Sequence, residues 1–219
     1  MDDHRAFARR LARQALDEGR PLEWFERLYA MATRGEAVIP WADQKPNPYL
    51  EDLLDRMGGP RGGSALCVGC GLGDDAEWLA WLGFRVTAFD ISPTAIDRCR
   101  GRFPGSTVDY VVENLLSPPS EWRGTFDLVV EAYTLQVLPA PLRPEAINRV
   151  AEFLAPGGDL CLVARLRDDD EPEGELPWPL TLDELLPLLQ EHRLLPVILD
   201  DVIDRDEPTV RRLLGGFHH

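Results

Sequence analysis

A short apolar run that leads into a glycine-rich turn constrains the fold of this chain more than any other feature. Residues 65–68 are apolar, the sequence Gly-Cys-Gly-Leu-Gly follows at residues 69–73, and an amphipathic stretch begins at Asp74. Alternate glycines permit a tight turn and let a ligand approach the main chain without an intervening Cβ. A strand, turn and helix of this kind is typical of the first unit of a doubly wound sheet, where ligands bind at the carboxyl ends of the strands.

From residue 64 onward, short apolar segments alternate with amphipathic ones. The pattern predicts strands at 64–69, 85–90, 108–113, 126–131 and 159–165, helices at 74–82, 93–103, 144–154 and 182–190, and a turn at 155–158. Two more strand-like runs, at 194–200 and 209–214, flank a turn-rich segment and predict an antiparallel C-terminal hairpin. We therefore expect an α/β, Rossmann-like, doubly wound and mostly parallel seven-stranded sheet. His218 and His219 resemble a tag remnant and are set aside.

The N-terminal part of the chain has a different texture. Its periodicity predicts helices at 2–18, 22–33 and 49–57, while three prolines make residues 37–48 irregular. We expect two parts: N-terminal helices with a lid segment at 1–47, and a ligand-binding domain at 48–219. The alternative is that the first 48 residues belong to the core, with Trp24, Phe25 and Tyr29 packed against the sheet.

Charge and composition exclude several classes of partner. The 219 residues carry 38 acids and 23 bases, one of them a lysine, for a net charge of −15. No basic footprint is available for nucleic acid or an anionic membrane. No run of 18 apolar residues and no leader-like segment is present, which predicts a cytoplasmic protein. We expect a small-molecule substrate, no nucleic acid, no membrane, no metal, and a monomer or homodimer; Cys67 and Cys70 read as reduced, buried thiols.

Polar residues follow the next two predicted strands. Asp90 ends the second strand 19 residues after Gly71, a spacing that suits hydrogen bonds to ribose hydroxyls. Position 74, which is glycine in dinucleotide-binding turns, is Asp, and its charge opposes a pyrophosphate at the helix N-terminus. Glu113 and Asn114 end the third strand, where an adenine edge could be read. The pattern favours a cationic nucleoside ligand without phosphates.

These motifs, with Ala-Pro-Gly-Gly at 155–158, resemble the class I S-adenosylmethionine-dependent methyltransferases over residues 48–219. The resemblance implies S-adenosyl-L-methionine as cofactor and S-adenosyl-L-homocysteine as product. Two positions depart from the family pattern, since Cys67 and Asn114 stand where acidic residues are usual. The cofactor-binding residues that the resemblance implies are Trp41, Gly69, Cys70, Gly71, Leu72, Gly73, Asp75, Asp90, Ile91, Asn114, Leu115 and Glu131.

Three proline-flanked segments resemble one group within that superfamily. Pro-Trp-Ala-Asp at 40–43, Pro-Asn-Pro at 46–48 and Pro-Trp-Pro at 177–179 are similar to segments of the thiopurine, halide and thiol methyltransferases. The resemblance implies that Trp41 covers the methionine end of the cofactor and that Trp41, Tyr133 and Trp178 bind substrate. A hydrophobic plug over the sheet is an equal alternative for Trp41.

The fourth predicted strand runs into Glu-Ala-Tyr-Thr-Leu-Gln at residues 131–136. The resemblance places this corner beside the transferred methyl group, so Glu131, Tyr133 and Gln136 are the expected catalytic residues, with Glu131 as a base for an acceptor that must lose a proton. Alternatively, Glu131 only binds backbone amides and Tyr133 only packs. The predicted function is methyl transfer to an S, N or O atom of a small molecule. A nicotinamide-dependent oxidoreductase and a non-catalytic cofactor-binding protein remain as alternatives.

Overall fold

The computed structural model describes residues 2–219, so Met1 of the predicted N-terminal part lies outside it. Its helices are α1 (Asp2–Asp17), α2 (Glu23–Thr33), α3 (Pro48–Arg56), α4 (Asp74–Trp81), α5 (Pro93–Arg102), α6 (Arg143–Glu152) and α7 (Leu182–Glu191). Its strands are β1 (Ser64–Val68), β2 (Arg85–Asp90), β3 (Asp109–Val112), β4 (Phe126–Ala132), β5 (Leu154–Leu166), β6 (Leu195–Ile203) and β7 (Arg211–His218). None of the helices within residues 2–219 is both long and apolar enough to cross a membrane.

The strands form one seven-stranded sheet in the order β3-β2-β1-β4-β5-β7-β6. Strands β1 to β5 pair in parallel, and β7 is antiparallel to both of its neighbours. The mostly parallel sheet and the antiparallel C-terminal hairpin predicted from the sequence are both confirmed. Because β1 to β4 run the same way, their carboxyl ends meet at one edge of the sheet, where the glycine turn lies.

Helices cover both faces of the sheet. Alternation along β4 directs Val129 toward the cluster that α6 and α7 complete, and Leu128 and Val130 toward the cluster formed with α3, α4 and α5. All three side chains are buried, as expected of a central strand covered on both sides. The core therefore fixes the strand ends, and with them the residues at the carboxyl edge.

Two strands differ from their predicted lengths because of glycines. Strand β5 begins at Leu154, which pairs with Phe126, and the register then shifts so that Leu128 faces Asp159. The predicted turn at 155–158 is thus accommodated as a bulge inside the strand, with Gly157 at a φ of +82°. Strand β7 continues past its predicted end because Gly216 accommodates Met57, the residue after α3, whose Sδ lies 2.7 Å from the position of an added Cβ.

One of the two C-terminal histidines set aside in the sequence analysis takes part in the sheet. His218 is the last residue of β7, where it pairs with Asp159 and Leu195, and its Nδ1 lies 2.8 Å from an oxygen of Asp159. The side chain therefore belongs to the sheet.

Helices α1 and α2 form a cluster of their own beside the sheet. Trp24 and Leu28 of α2 are buried among alanines of α1 and against Leu176. Glu26 connects α2 to the N-terminus of α5. Its carboxylate accepts hydrogen bonds from the hydroxyl of Ser92 at 2.5 Å and from the hydroxyl of Thr94 at 2.6 Å. A carboxylate at that helix end also interacts favourably with the helix dipole.

Candidate active site

The glycine turn after β1 has a geometry that only glycine satisfies. Gly69, Gly71 and Gly73 have φ angles of +59°, +55° and +87°. A Cβ at Gly69 would overlap the side chain of Thr134, and one at Gly73 would lie 2.5 Å from the hydroxyl of Tyr110. The turn is therefore pressed against its neighbours on two sides, and its three glycines leave room for them.

Asp90 lies across the turn from Gly71. One carboxylate oxygen accepts from the Gly71 amide at 3.0 Å and the other from the Ser92 amide at 2.9 Å. The side chain is 7% exposed, and burial raises its pKa to about 6 against the lowering effect of these hydrogen bonds. Ser92 caps α5, since its hydroxyl accepts from the Ala95 amide. Each oxygen of Asp90 keeps a lone pair for a ligand hydroxyl.

The residues that follow β3 lie next to Asp90. The Glu113 amide donates to the carbonyl of Asp90 at 3.1 Å, which brings Asn114 and the buried Leu115 to the same edge. Asn114 Oδ1 accepts from the Leu116 amide at 3.0 Å. The oxygen predicted to read an adenine amino group is thus already engaged in a local turn.

The two acids that open α4 have separate partners. Asp74 forms an ion pair with Arg102 at 2.7 Å, so its charge is compensated and cannot by itself discriminate against a pyrophosphate, contrary to the sequence argument. Asp75 accepts from the Asn47 amide at 2.7 Å, and burial raises its pKa to about 6. Asp75 therefore links the start of α4 to the proline-rich segment that precedes α3.

Helix α2 covers the glycine turn. This contact was not predicted from the sequence. The hydroxyl of Tyr29 lies 3.1 Å from the position of a Cβ on Gly71, and Trp41 Nε1 donates to that hydroxyl at 3.2 Å. Tyr29 was interpreted as a packing residue only, because it lies on the apolar side of α2. It is buried together with Leu72 of the turn, while the side chain of Trp41 remains 40% exposed.

Glu131 is fully buried at the end of β4. Its Oε1 accepts from the amides of Thr134 and Leu135 at 2.7 and 2.9 Å, and its Oε2 is buried without a hydrogen-bond partner. Burial raises its pKa to about 7, although the two amide hydrogen bonds lower it. The geometry fits the alternative reading, in which Glu131 binds backbone amides and holds the turn after β4. Its role as a base stays a prediction.

Tyr133 occupies that turn with a φ of +68°, which is rare outside glycine and costs about 1–2 kcal/mol. The Arg212 guanidinium lies 4.8 Å from the centre of its ring. Burial raises the pKa of the phenol to about 12, against the opposing charge of Arg212, so the hydroxyl is protonated at neutral pH. Strained backbone of this kind is concentrated at functional sites.

The other predicted site residues lie around this edge. Cys70 donates its amide to the carbonyl of Phe89 at 2.8 Å, and Ile91 is half-buried beside Asp90. Gln136 is buried. Its side-chain Oε1 accepts from the Arg165 amide at 2.6 Å, and its backbone carbonyl accepts from the Trp178 amide. Trp178 lines a cleft between α1 and residues 174–176 that also contains Arg9.

The chain is similar to known methyltransferases in sequence and in fold. Residues 65–158 match the family described as "Methyltransferase domain". A ubiquinone biosynthesis O-methyltransferase of Xanthomonas axonopodis is 35% identical over 125 residues, covering 54% of this chain and 52% of that protein. A probable thiol methyltransferase of Arabidopsis thaliana is 29% identical over 160 residues, covering 69% and 68%. The solved structure of the N-methyltransferase NodS from Bradyrhizobium japonicum, in complex with S-adenosyl-L-homocysteine, superposes with a TM-score of 0.67 at 24% identity, covering 90% and 97%.

The chain is therefore similar to methyltransferases in sequence over residues 65–158, and it shares the fold of a solved S-adenosyl-L-homocysteine-bound methyltransferase. The matched stretch spans about half the length of the first of these relatives. The two departures from the superfamily pattern fit their surroundings. Cys67 is 3% exposed among the apolar residues that face α3 to α5, where a carboxylate would be desolvated. Asn114 forms the turn after β3 through its own side chain.

Proposed function

We propose that the chain transfers a methyl group from S-adenosyl-L-methionine to an S, N or O atom of a small molecule. The observation that carries the proposal is the glycine turn at residues 69–73 with the carboxylate of Asp90 bonded across it to the Gly71 amide. The match to the methyltransferase-domain family and the thiol and O-methyltransferase relatives support it.

The residues present fit this cofactor. Asp90 offers two carboxylate oxygens with free lone pairs to a ribose, and hydrogen bonds to a charged acceptor are strong. Tyr29 and Trp41 put aromatic rings above the turn, where a sulfonium cation gains from the ring faces. We propose that Gly69, Cys70, Gly71, Leu72, Gly73, Ile91 and Leu115 complete the site and that Asp75 faces its methionine end.

The bound cofactor supplies an activated methyl group for in-line displacement. The work left to the chain is to orient the acceptor and exclude water from the reacting atoms. Tyr133 presents a protonated hydroxyl at the end of β4, and Gln136 fixes that corner to β5. Glu131 holds the turn through two amides, which makes it a positioning residue in this proposal.

The test is calorimetric titration with S-adenosyl-L-homocysteine. Wild-type protein should bind it, and Asp90→Ala should weaken binding by about 2–4 kcal/mol because two hydrogen bonds to a charged acceptor are lost. Asp109→Ala, at the exposed start of β3, is the matched control and should bind as wild type does. Thermal unfolding of each variant separates lost binding from lost folding.

Equal affinity of Asp90→Ala and wild type would overturn the assignment of the cofactor site. Titration with NADH in the same series addresses the alternative function. Binding of NADH in place of S-adenosyl-L-homocysteine would favour an oxidoreductase. Binding of S-adenosyl-L-homocysteine without turnover of thiol, amine and phenol acceptors would favour the non-catalytic alternative.

A further inference from the structure

Four arginines from three distant parts of the sequence meet beyond the carboxyl end of β4. Arg5 and Arg9 lie on α1, Arg165 on β5 and Arg212 on β7. Arg165 and Arg212 are direct partners across the antiparallel β5–β7 pair, an arrangement in which like charges are destabilising. Burial lowers the pKa of Arg165, and the charges of Arg212, Arg5 and Arg9 lower it further, against the effect of Glu207. In a chain with a net charge of −15, this cluster of arginines needs a cause.

The carboxylates at this cluster are already committed. Glu207 forms an ion pair with Arg5 and is shared with Arg165, whose Nη2 lies 3.3 Å away. Asp204 pairs with Arg212 and also accepts from the amides of residues 206 and 207 and from Tyr49. Arg9 pairs with the largely exposed Glu175 at 3.0 Å.

One donor of Arg165 is left without a partner. Arg165 has a side chain only 15% exposed, and its Nε is buried without a hydrogen-bond partner. A buried charged donor without a partner is costly, so an arrangement like this is explained best by an anion that the cluster binds.

The cluster lies next to the corner that is proposed to receive the methyl acceptor. The Arg165 amide is bonded to Gln136 Oε1, and the Arg212 guanidinium lies over the ring of Tyr133. On its other side, Arg9 lines the cleft that contains Leu176 and Trp178. An anionic group held by the arginines would thus have reactive and apolar surfaces within reach.

We propose that this cluster binds a carboxylate carried by the methyl acceptor, with Arg165 as a specificity-determining residue. The planar guanidinium fork matches a carboxylate with two parallel hydrogen bonds. This inference rests on the proposed function, because it assigns the substrate class of the same site: a small organic acid with a methylatable S, N or O atom.

The experiment compares acids with their neutral isosteres. Wild-type protein, with and without S-adenosyl-L-homocysteine, is titrated calorimetrically with 2-mercaptobenzoate, 4-hydroxybenzoate and 4-aminobenzoate and with the primary amide of each. At least one acid should bind ten-fold or more tightly than its amide. Arg165→Gln should remove that preference and leave the affinity for S-adenosyl-L-homocysteine within two-fold of wild type. Equal binding of acids and amides to wild type, or an acid preference that survives Arg165→Gln, would overturn the proposal.

Matched variants keep the result interpretable. Arg211→Gln removes a neighbouring arginine of β7 that pairs with Asp168 and Asp201, and it should retain the acid preference. Arg165→Lys keeps the charge without the fork and should retain only part of the preference, and it replaces Arg165→Gln in the comparison if that variant fails to fold. Failure of the proposed function has a different signature, since S-adenosyl-L-homocysteine would then not bind while the acid preference could persist.

Discussion

The edge of the sheet at which the parallel strands end has two halves, and the charged side chains in them have opposite sign. Around β1, β2 and β4 the glycine turn is surrounded by Asp75, Asp90 and Glu131, three acids whose pKa values burial raises. Around β5 and β7 the guanidinium groups of Arg165 and Arg212 lie side by side, each paired with a carboxylate, Glu207 and Asp204 respectively. A half that presents carboxyl groups suits a cation and hydroxyl groups, whereas a half that presents arginines suits an anion. Under the two proposals above, a sulfonium donor and an acidic acceptor occupy separate places on one sheet.

The halves also differ in how the sequence encodes them. The first half is encoded locally: about fifty consecutive positions contain the glycine turn, Asp90 and the end of β3. Those of the second half are drawn from positions 5 to 212 and meet only when α1 and the C-terminal hairpin have folded. Substitutions in the two halves should therefore separate cofactor binding from acceptor binding.

The largest effect is expected for Gly69→Ala in the first half. The left-handed φ and the overlap with Thr134 together should lower the free energy of unfolding by about 2–4 kcal/mol. Rotation of Thr134 gives little relief, because its hydroxyl donates to the carbonyl of Val68 and its methyl group also lies only 3.0 Å from the position of the added Cβ. Urea unfolding and titration with S-adenosyl-L-homocysteine measure the two consequences, and binding should be lost.

Gly124→Ala is the matched control, because its φ of +66° is similar while no atom lies within 4 Å of the added Cβ. It should cost about 1–2 kcal/mol from backbone strain alone and leave cofactor binding intact. If the two variants were equally stable and both bound S-adenosyl-L-homocysteine, the close approach of the turn to Thr134 would have no energetic role.

An intermediate effect is expected at Glu131 and depends on pH. Its pKa is raised to about 7 in the folded protein, so the folded state retains a proton that the unfolded chain releases above about 4.5. The stability that this proton contributes is present below pH 4.5 and is lost as pH rises through 7. Glu131→Gln removes the titration, so its stability relative to wild type should increase by about 1–3 kcal/mol between pH 5.5 and pH 8.

Urea unfolding at the two pH values measures this change. The exposed Glu121→Gln provides the control and should shift by less than a few tenths of a kcal/mol. A pH-independent difference between Glu131→Gln and wild type would show that the buried carboxyl group does not titrate in this range.

Local pattern was sufficient to predict the sheet and the glycine turn, because alternating apolar segments and glycine spacing are properties of neighbouring residues. It was insufficient where distant elements decide the outcome. The apolar periodicity of α2 could not show that the Tyr29 hydroxyl reaches Gly71, because that contact depends on how α2 packs on α5. Arg165 reads as one polar residue at the end of a strand, and only the pairing with Arg212 makes it exceptional. Gly215 and Gly216 could have suggested the close approach of Met57 to β7. Glycines in a strand pattern, however, also indicate the end of the strand, and here they were interpreted in that way.

The smallest change in stability is expected at Trp41, which lies over the first half of the site. Its ring contacts Trp24 and Tyr29 edge to face, yet 40% of the residue is exposed. Trp41→Ala should therefore lower the free energy of unfolding by only about 1 kcal/mol. If residues 37–48 act as a lid that keeps water from the sulfonium, turnover should fall ten-fold or more in the same variant. Trp81→Ala, at a tryptophan of α4 that is 81% exposed, controls for removal of a surface ring and should keep both stability and turnover. Loss of stability without loss of turnover in Trp41→Ala would instead favour the hydrophobic plug, because a plug stabilises the fold without taking part in the displacement.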